Sequence, residues 1–332
     1  MKESIISFLI ALISVFVITV LVERKLIPIL KSYKVGQKIL EIGPRWHKNK
    51  EGTPIMGGLA FVLASLIAML GFSVYYLVKG RNSELIPIAL TYGLAFLNGT
   101  VGYLDDYTKL IKKQNEGFKE YQKLILQFLI AILYVVAMAK TGNMQTTLSL
   151  PFTTLAPDLG FIYYIIVVLF IVALVNSANF TDGVDGLLSS VSAVMSIALA
   201  VLSIVAHNGG LAILSGALLG STLGFLVYNL HPARVFMGDT GSLFIGGVIA
   251  GAAIMINEPI AVLFIGIIYV IEIASVVIQR GYYKLTKKRF FKMAPIHHHF
   301  EMCKWNEPKI CIVFSLIALI GSGIGVLSIL LR

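Results

Sequence analysis

The chain has 332 residues, of which 57% are hydrophobic and 13% charged, with a net charge of +10 and a mean hydropathy of +0.87. Soluble domains carry about a quarter charged residues, so this composition excludes an ordinary soluble enzyme. Apolar runs near ~20 residues, long enough for a helix to cross a bilayer core, predict an all-α, polytopic integral membrane protein folded as one domain over 1–332. In such a chain the basic excess marks cytoplasmic loops, not nucleic-acid binding.

Ten spans are predicted, at 4–22, 55–78, 85–104, 124–140, 159–175, 186–206, 211–229, 241–256, 259–279 and 309–331. The first lacks a basic leader and is followed by "ERK", so it reads as an anchor and not a cleaved signal. The next loop, "GPRWHKNKEGTPIMGG" (Gly43 to Gly58), is basic and enters the second span through glycines. It reads equally as a plain positively charged inside loop with helix-breaking residues or as a loop with a part in function. The third span closes on "GYLDDYTKL", which puts Asp105 and Asp106 side by side at the water boundary with Lys109 after them. Between the fifth and sixth spans lies "NSANFTDGVDGL" (Asn176 to Leu187). If its end is helical, Asp182 and Asp185 share a face, and Gly183 and Gly186 admit close backbone approach; a turn with Asx caps is the alternative.

Further along, "YNLHPARVFMGDTGSLFIGG" (Tyr228 to Gly247) sets Asp239 in a Gly-flanked turn before a helix. Thr240 or Ser242 could cap that helix, and its first amides would attract phosphate. Asp239 beside them suits Mg²⁺, which takes one or two carboxylates plus substrate phosphates. The alternative is that Asp239 is itself a cap. Gly216, Gly220 and Gly224, and Gly247 and Gly251, repeat every four residues, a spacing that lets helices approach closely. "GSGIG" in the last span has no preceding strand and also reads as packing. After the ninth span, "MAPIHHHFE" (Met293 to Glu301) sits in a basic loop expected to be exposed. Consecutive histidines lack the spacing of a tetrahedral zinc site, so recognition of a phosphate or sugar is expected there. Cys303 and Cys311 suggest neither a disulfide framework nor a metal site.

Lys and Arg sort strongly between alternate loops. Eight fall between Arg24 and Lys50, five between Lys109 and Lys123, one at Arg234 and eight between Arg280 and Lys309, against five elsewhere. Both termini are therefore expected outside. Five of the six aspartates fall on the basic, inside face, all but Asp158. Acids able to hold a divalent cation, cations able to hold phosphates and glycines able to admit a ligand on one face point to phosphoryl transfer. An ion-coupled transporter would need carboxylates near the midplane, and only Glu272 lies well inside a predicted span.

"LDDYTK", "NFTDGVDGL", "FMGDTGS" and "APIHHHFE", in that order, resemble the polyprenyl-phosphate N-acetylhexosamine-1-phosphate transferases, and "APIHHHFE" resembles their muramoyl-pentapeptide branch. The resemblance covers nearly the whole chain. It implies a Mg²⁺-dependent enzyme of the bacterial plasma (inner) membrane, a homodimer, with its cleft on the cytoplasmic face. The implied substrates are UDP-MurNAc-pentapeptide and undecaprenyl phosphate, the products lipid I and UMP. A sister branch uses UDP-GlcNAc. Carried over residue by residue, Asp105 is implied as base or nucleophile, and Asp106 and Lys109 as phosphate-positioning residues. Asp239 is implied as the metal ligand. Asn179, Asp182 and Asp185 would line a uridine pocket with Lys48 and Phe236, and Thr53 and Gln279 are further substrate-binding positions. Lys123, Asn229 and His297, His298 and His299 would meet phosphates or the outer substrate. A phosphate monoester titrates near pH ~6, so at neutral pH a base has little proton to remove.

Overall fold

A computed structural model describes residues 1–32, 50, 52–112 and 117–332. The elements are α1 (Lys2–Ser32), α2 (Gly58–Val78), α3 (Asn82–Lys112), α4 (Glu120–Lys140), α5 (Phe161–Thr181), α6 (Leu187–Val205), α7 (Gly209–Asn229), α8 (Gly238–Met255), α9 (Pro259–Ile265), α10 (Ile267–Thr286), α11 (Ile296–Met302) and α12 (Glu307–Leu330). The described residues contain no named strand; a single antiparallel bridge, Thr147 with Asp158, pins the α4–α5 connection.

Nine of the described helices are long and apolar enough to cross a membrane. The ninth predicted span, 259–279, is not one straight crossing: α9 and α10 meet at Gly266 with a bend of 87°. α1 runs ten residues past the predicted 4–22, and Glu23 on it is fully buried with no hydrogen-bond partner among the described residues. Glu272 is thus not the only carboxylate inside a span.

α7 and α8 form the centre. Both are apolar all round, and 83% of each one's apolar window is buried, as expected of a helix with no polar face. The glycine rows bring neighbours close. A Cβ on Gly216 would lie 2.4 Å from Phe8 O, and one on Gly220 2.5 Å from Leu12 O, so α7 packs on α1. Gly247 likewise meets Ala95 where α8 packs on α3, and Gly321 of "GSGIG" meets Phe264 where α12 packs on α9.

Both termini lie at the same end as three connections. Glu3 pairs with Arg81 between α2 and α3. Arg332 pairs with Glu258 between α8 and α9 at 2.5 Å, and Asn257 next to it donates to Thr147 in the α4–α5 connection at 3.3 Å. The opposite end gathers the α5–α6, α7–α8 and α10–α12 connections, and the site is built there.

Candidate active site

Adjacent residues on a helix point about 100° apart, so Asp105 and Asp106 near the end of α3 reach different partners. Asp106 turns to α8. Its Oδ2 accepts the Thr240 amide at 2.9 Å and the Thr240 hydroxyl at 2.8 Å, and its Oδ1 accepts the Asp239 amide at 3.2 Å. Asp106 therefore caps α8 from another helix. The amides expected to receive a phosphate are engaged by this carboxylate, and neither Thr240 nor Ser242 is the cap: the Ser242 hydroxyl donates to Gly238 O at 3.1 Å. The approach needs glycine twice. A Cβ on Gly102 would stand 2.2 Å from Asp239 O, and one on Gly238 (φ +75°) 2.5 Å from Asp106 Oδ2.

Asp105 turns to the chain beyond α3, where its Oδ1 accepts the Phe118 amide at 2.6 Å. Its Oδ2 is 2.6 Å from Lys109 Nζ. Asp239 completes the cluster and is not isolated: the three carboxylates offer oxygens within 4.8 Å of one another. Lys123 Nζ lies 2.7 Å and Lys109 Nζ 3.3 Å from Asp239 Oδ2, while Asn179 Nδ2 donates to Asp239 Oδ1 at 2.9 Å. Of the three acid side chains only Asp239 is open, at 15%, against 0% and 2% for Asp105 and Asp106.

The α5–α6 turn carries the site onward. Asp182 is half-buried at the end of α5. Burial first, then the charges of Asp239, Asp106 and Asp185, push its carboxyl well above the ordinary 3.8. Asp185 lies in a second cluster. Lys50 Nζ is 2.6 Å from both Asp185 Oδ1 and Glu307 Oε2. Asp185 Oδ2 meets His231 Nδ1 at 3.1 Å and accepts the Ala233 amide at 3.0 Å. Glu307 Oε2 also accepts the Asp185 amide at 2.9 Å. Lys50 sits 5.8 Å from the centre of the Phe236 ring, and half-buried Thr53 donates its amide to Lys50 O at 3.1 Å.

The histidine segment is not an exposed loop. Its residues form the short helix α11, with His297 fully buried and His298 and His299 half-buried. His298 Nδ1 lies 2.5 Å from Glu301 Oε2, and His299 Nδ1 accepts the Lys292 amide at 3.1 Å. Two expected substrate contacts are engaged with backbone. Asn229 Nδ2 donates to Val235 O at 2.9 Å, and its Oδ1 accepts the Gly186 amide at 3.0 Å. Gln279 Oε1 accepts the Phe290 and Phe291 amides at 3.1 and 2.9 Å. Lys48 lies outside the described residues.

The structure thus unites Asp105, Asp106, Asp239, Lys109, Lys123 and Asn179 in one cluster and Asp185 and Phe236 with Lys50 in another, with Asp182 between them. Lys50, His231, Glu307 and Glu272 join the site without having been singled out as site residues from sequence. Only Glu272, a carboxylate deep in an apolar run, carried a signal of its own.

The family model described as "Glycosyl transferase family 4" matches residues 88–257, a stretch that holds Asp105, Asp106, Lys109, Lys123, Asn179 and Asp239, and this many-helix chain belongs to that class. The Caldicellulosiruptor bescii protein named phospho-N-acetylmuramoyl-pentapeptide-transferase is 44% identical over 306 residues, 92% of either chain. A Staphylococcus aureus protein of the same name is 42% identical over 311 residues, 93% of this chain and 95% of the relative. The chain belongs to the phospho-N-acetylmuramoyl-pentapeptide-transferase family.

Proposed function

We propose that this protein transfers phospho-MurNAc-pentapeptide from UDP-MurNAc-pentapeptide to undecaprenyl phosphate, giving lipid I and UMP, at the cytoplasmic face of the bacterial plasma membrane. The observation that carries the reading is the cluster itself: three carboxylates within 4.8 Å, with two lysines on their oxygens, at the basic end of a membrane bundle. The family resemblance adds a homodimer.

The all-oxygen donor set fits a hard divalent cation such as Mg²⁺. Asp239 would hold it, because its carboxylate alone in the cluster is open and its partners are side chains that can move aside, with Asp105 at hand; Asp106 is closed and its oxygens cap the first backbone amides of α8. When bound, the metal supplies positive charge to the pyrophosphate as it accumulates charge in the transition state.

In the reaction a lipid phosphate oxygen bonds to the sugar-linked phosphorus, and the bond from that phosphorus to the UMP oxygen breaks. The lipid phosphate is largely a dianion at neutral pH, so the main obstacle is repulsion between anions. Lys109 and Lys123 are placed to reduce it, since both ammonium groups stand at the mouth of the cluster on Asp239 Oδ2. Fixed cations of this kind stabilise the transition state without reorganising. Asp105, held by Lys109 and by the Phe118 amide, serves to orient the attacking oxygen. Asp182 and Asp185, with Phe236 and Lys50, form the wall that receives the nucleotide.

The test is turnover by purified protein with undecaprenyl phosphate and Mg²⁺, offered UDP-MurNAc-pentapeptide or UDP-GlcNAc. UMP release and lipid I formation from the first alone are expected. Turnover of UDP-GlcNAc alone assigns the sister activity, and no UMP from either overturns the reading.

A further inference from the structure

α12 is the last helix of the chain, and the mechanism above uses none of its residues. Its first turns nonetheless reach the α5–α6 turn. Asn306 caps the helix, with its Oδ1 accepting the Lys309 amide at 3.0 Å. Glu307 and Cys311 follow, four residues apart and so on one face, and both are buried.

That face holds Asp185, itself only 3% exposed, at both of its backbone groups. The Asp185 N–H donates to Glu307 Oε2 at 2.9 Å, and its C=O accepts the Cys311 thiol at 3.1 Å. Buried backbone groups must find partners, and these two partners are side chains 122 and 126 residues away. The Asp185 carboxylate is left to bind elsewhere, with Oδ1 on Lys50 and Oδ2 on His231 and the Ala233 amide. Glu307 Oε2 also meets Lys50 Nζ at 2.6 Å, so a single oxygen ties the lysine to the turn. Its Oε1 stands 3.8 Å from His231 Nδ1.

We infer that α12 is the element that positions the nucleotide wall: Glu307 and Cys311 grip the Asp185 backbone from behind, and Glu307 sets Lys50 against it. Both act through Asp185 and Lys50 and are positioning residues. The inference rests on the proposed function for what the wall binds, and the grip itself does not depend on that reading.

Glu307→Ala removes both of its bonds, and KM for the nucleotide-sugar should rise about 10–100-fold, the effect of losing a hydrogen bond to a charged group. Glu307→Gln keeps an acceptor for the Asp185 amide but drops the charge facing Lys50, and should fall between parent and Ala. It carries the test should Glu307→Ala fail to fold. Cys311→Ala should raise KM about 2–10-fold, as loss of a neutral hydrogen bond does, and Cys311→Ser, which keeps a donor, should raise it less. In all four, kcat at saturation should stay within about threefold, because no group acting on the transition state is removed. Glu307→Gln added to Lys50→Met should raise KM no more than about twofold further, since the link it breaks is already gone. Full additivity overturns the inference. So does a Glu307→Gln protein that melts earlier but keeps the parent's KM, the mark of a merely structural residue, or one that loses kcat about 100-fold at unchanged KM, the mark of a catalytic one. Thiol modification gives a readout independent of activity. In a Cys303→Ser background, Cys311 should react with a maleimide about tenfold faster in Glu307→Gln than in the parent, because the turn over it opens more often. An unchanged rate overturns the grip. A parent that releases no UMP, with the thiol faster in Glu307→Gln, refutes the proposed function and leaves the grip standing.

Discussion

Asp105, Asp106 and Asp239 share one small volume, yet their surroundings separate their roles. Asp106 is an internal cap; Asp105 is closed over by Lys109 and the Phe118 amide; Asp239 alone is open. Asp239→Asn keeps the shape but removes the charge that would hold a metal. It should lower turnover by at least about 10²–10³-fold, the effect of losing one preorganised electrostatic contact, and weaken Mg²⁺-dependent nucleotide binding. Asp105→Asn should lower turnover comparably and leave that binding largely intact. Nucleotide binding titrated against Mg²⁺ separates them, and the reverse pattern moves the metal to Asp105. Asp182 gives a pH effect with a definite sign. Its folded carboxyl titrates well above the ordinary 3.8, so the folded state keeps a proton that the unfolded chain releases. Stability from this group is complete below pH ~4 and is lost as pH rises through the raised folded value. The melting temperature in detergent should fall over that rise in the parent and fall less in Asp182→Asn. Parallel curves would show that Asp182 is ionised in the fold.

At the scale of elements, α3 and α8 make the site by touching. Gly102 permits the contact, and the atoms its Cβ would strike, Asp239 O at 2.2 Å and Thr240 N at 2.6 Å, are backbone that cannot swing aside. Gly102→Ala should therefore separate the helices, loosen the Asp106 cap, lower stability by about 1–3 kcal/mol as overpacking does, and reduce turnover. Gly93→Ala on the same helix meets nothing within 4 Å and is the control. Equal behaviour of the two would remove this contact from the argument. The contact also shows what sequence can carry. Span positions follow from apolar length, and the α7 and α8 glycine rows announce packing by their spacing. Partners between distant segments leave no local trace. Nothing in "LDDYTK" says that Asp106 caps a helix by accepting an amide 133 residues away, and nothing in "MAPIHHHFE" says that Glu272 draws its first histidine inside. The bend at Gly266 was equally hidden, because a run from 259 to 279 has the same hydropathy whether straight or broken.

At the scale of the whole molecule, the two ends of the bundle differ in charge. Among the described residues, the site end carries Lys50, Lys109, Lys123 and the basic stretch 280–309, and the end with both termini carries few cations. Basic loops are retained in the cytoplasm, so the charge asymmetry predicts a cytoplasmic site end, which is the side the proposed reaction requires. Single cysteines at Asn115, which lies outside the described residues between α3 and α4, and at Asn143, between α4 and α5, flank one span and must report opposite faces. The background needs Cys303→Ser, since Cys303 is partly open whereas Cys311 is buried. A membrane-impermeant maleimide applied to intact cells should label position 143 and leave 115 unlabelled until the cells are opened. If 115 labels in intact cells and 143 does not, the bundle is inverted and the carboxylate–lysine cluster faces away from the nucleotide pool. Labelling of both positions from outside would mean that α4 does not cross. Either result would overturn the orientation on which the proposed reaction depends.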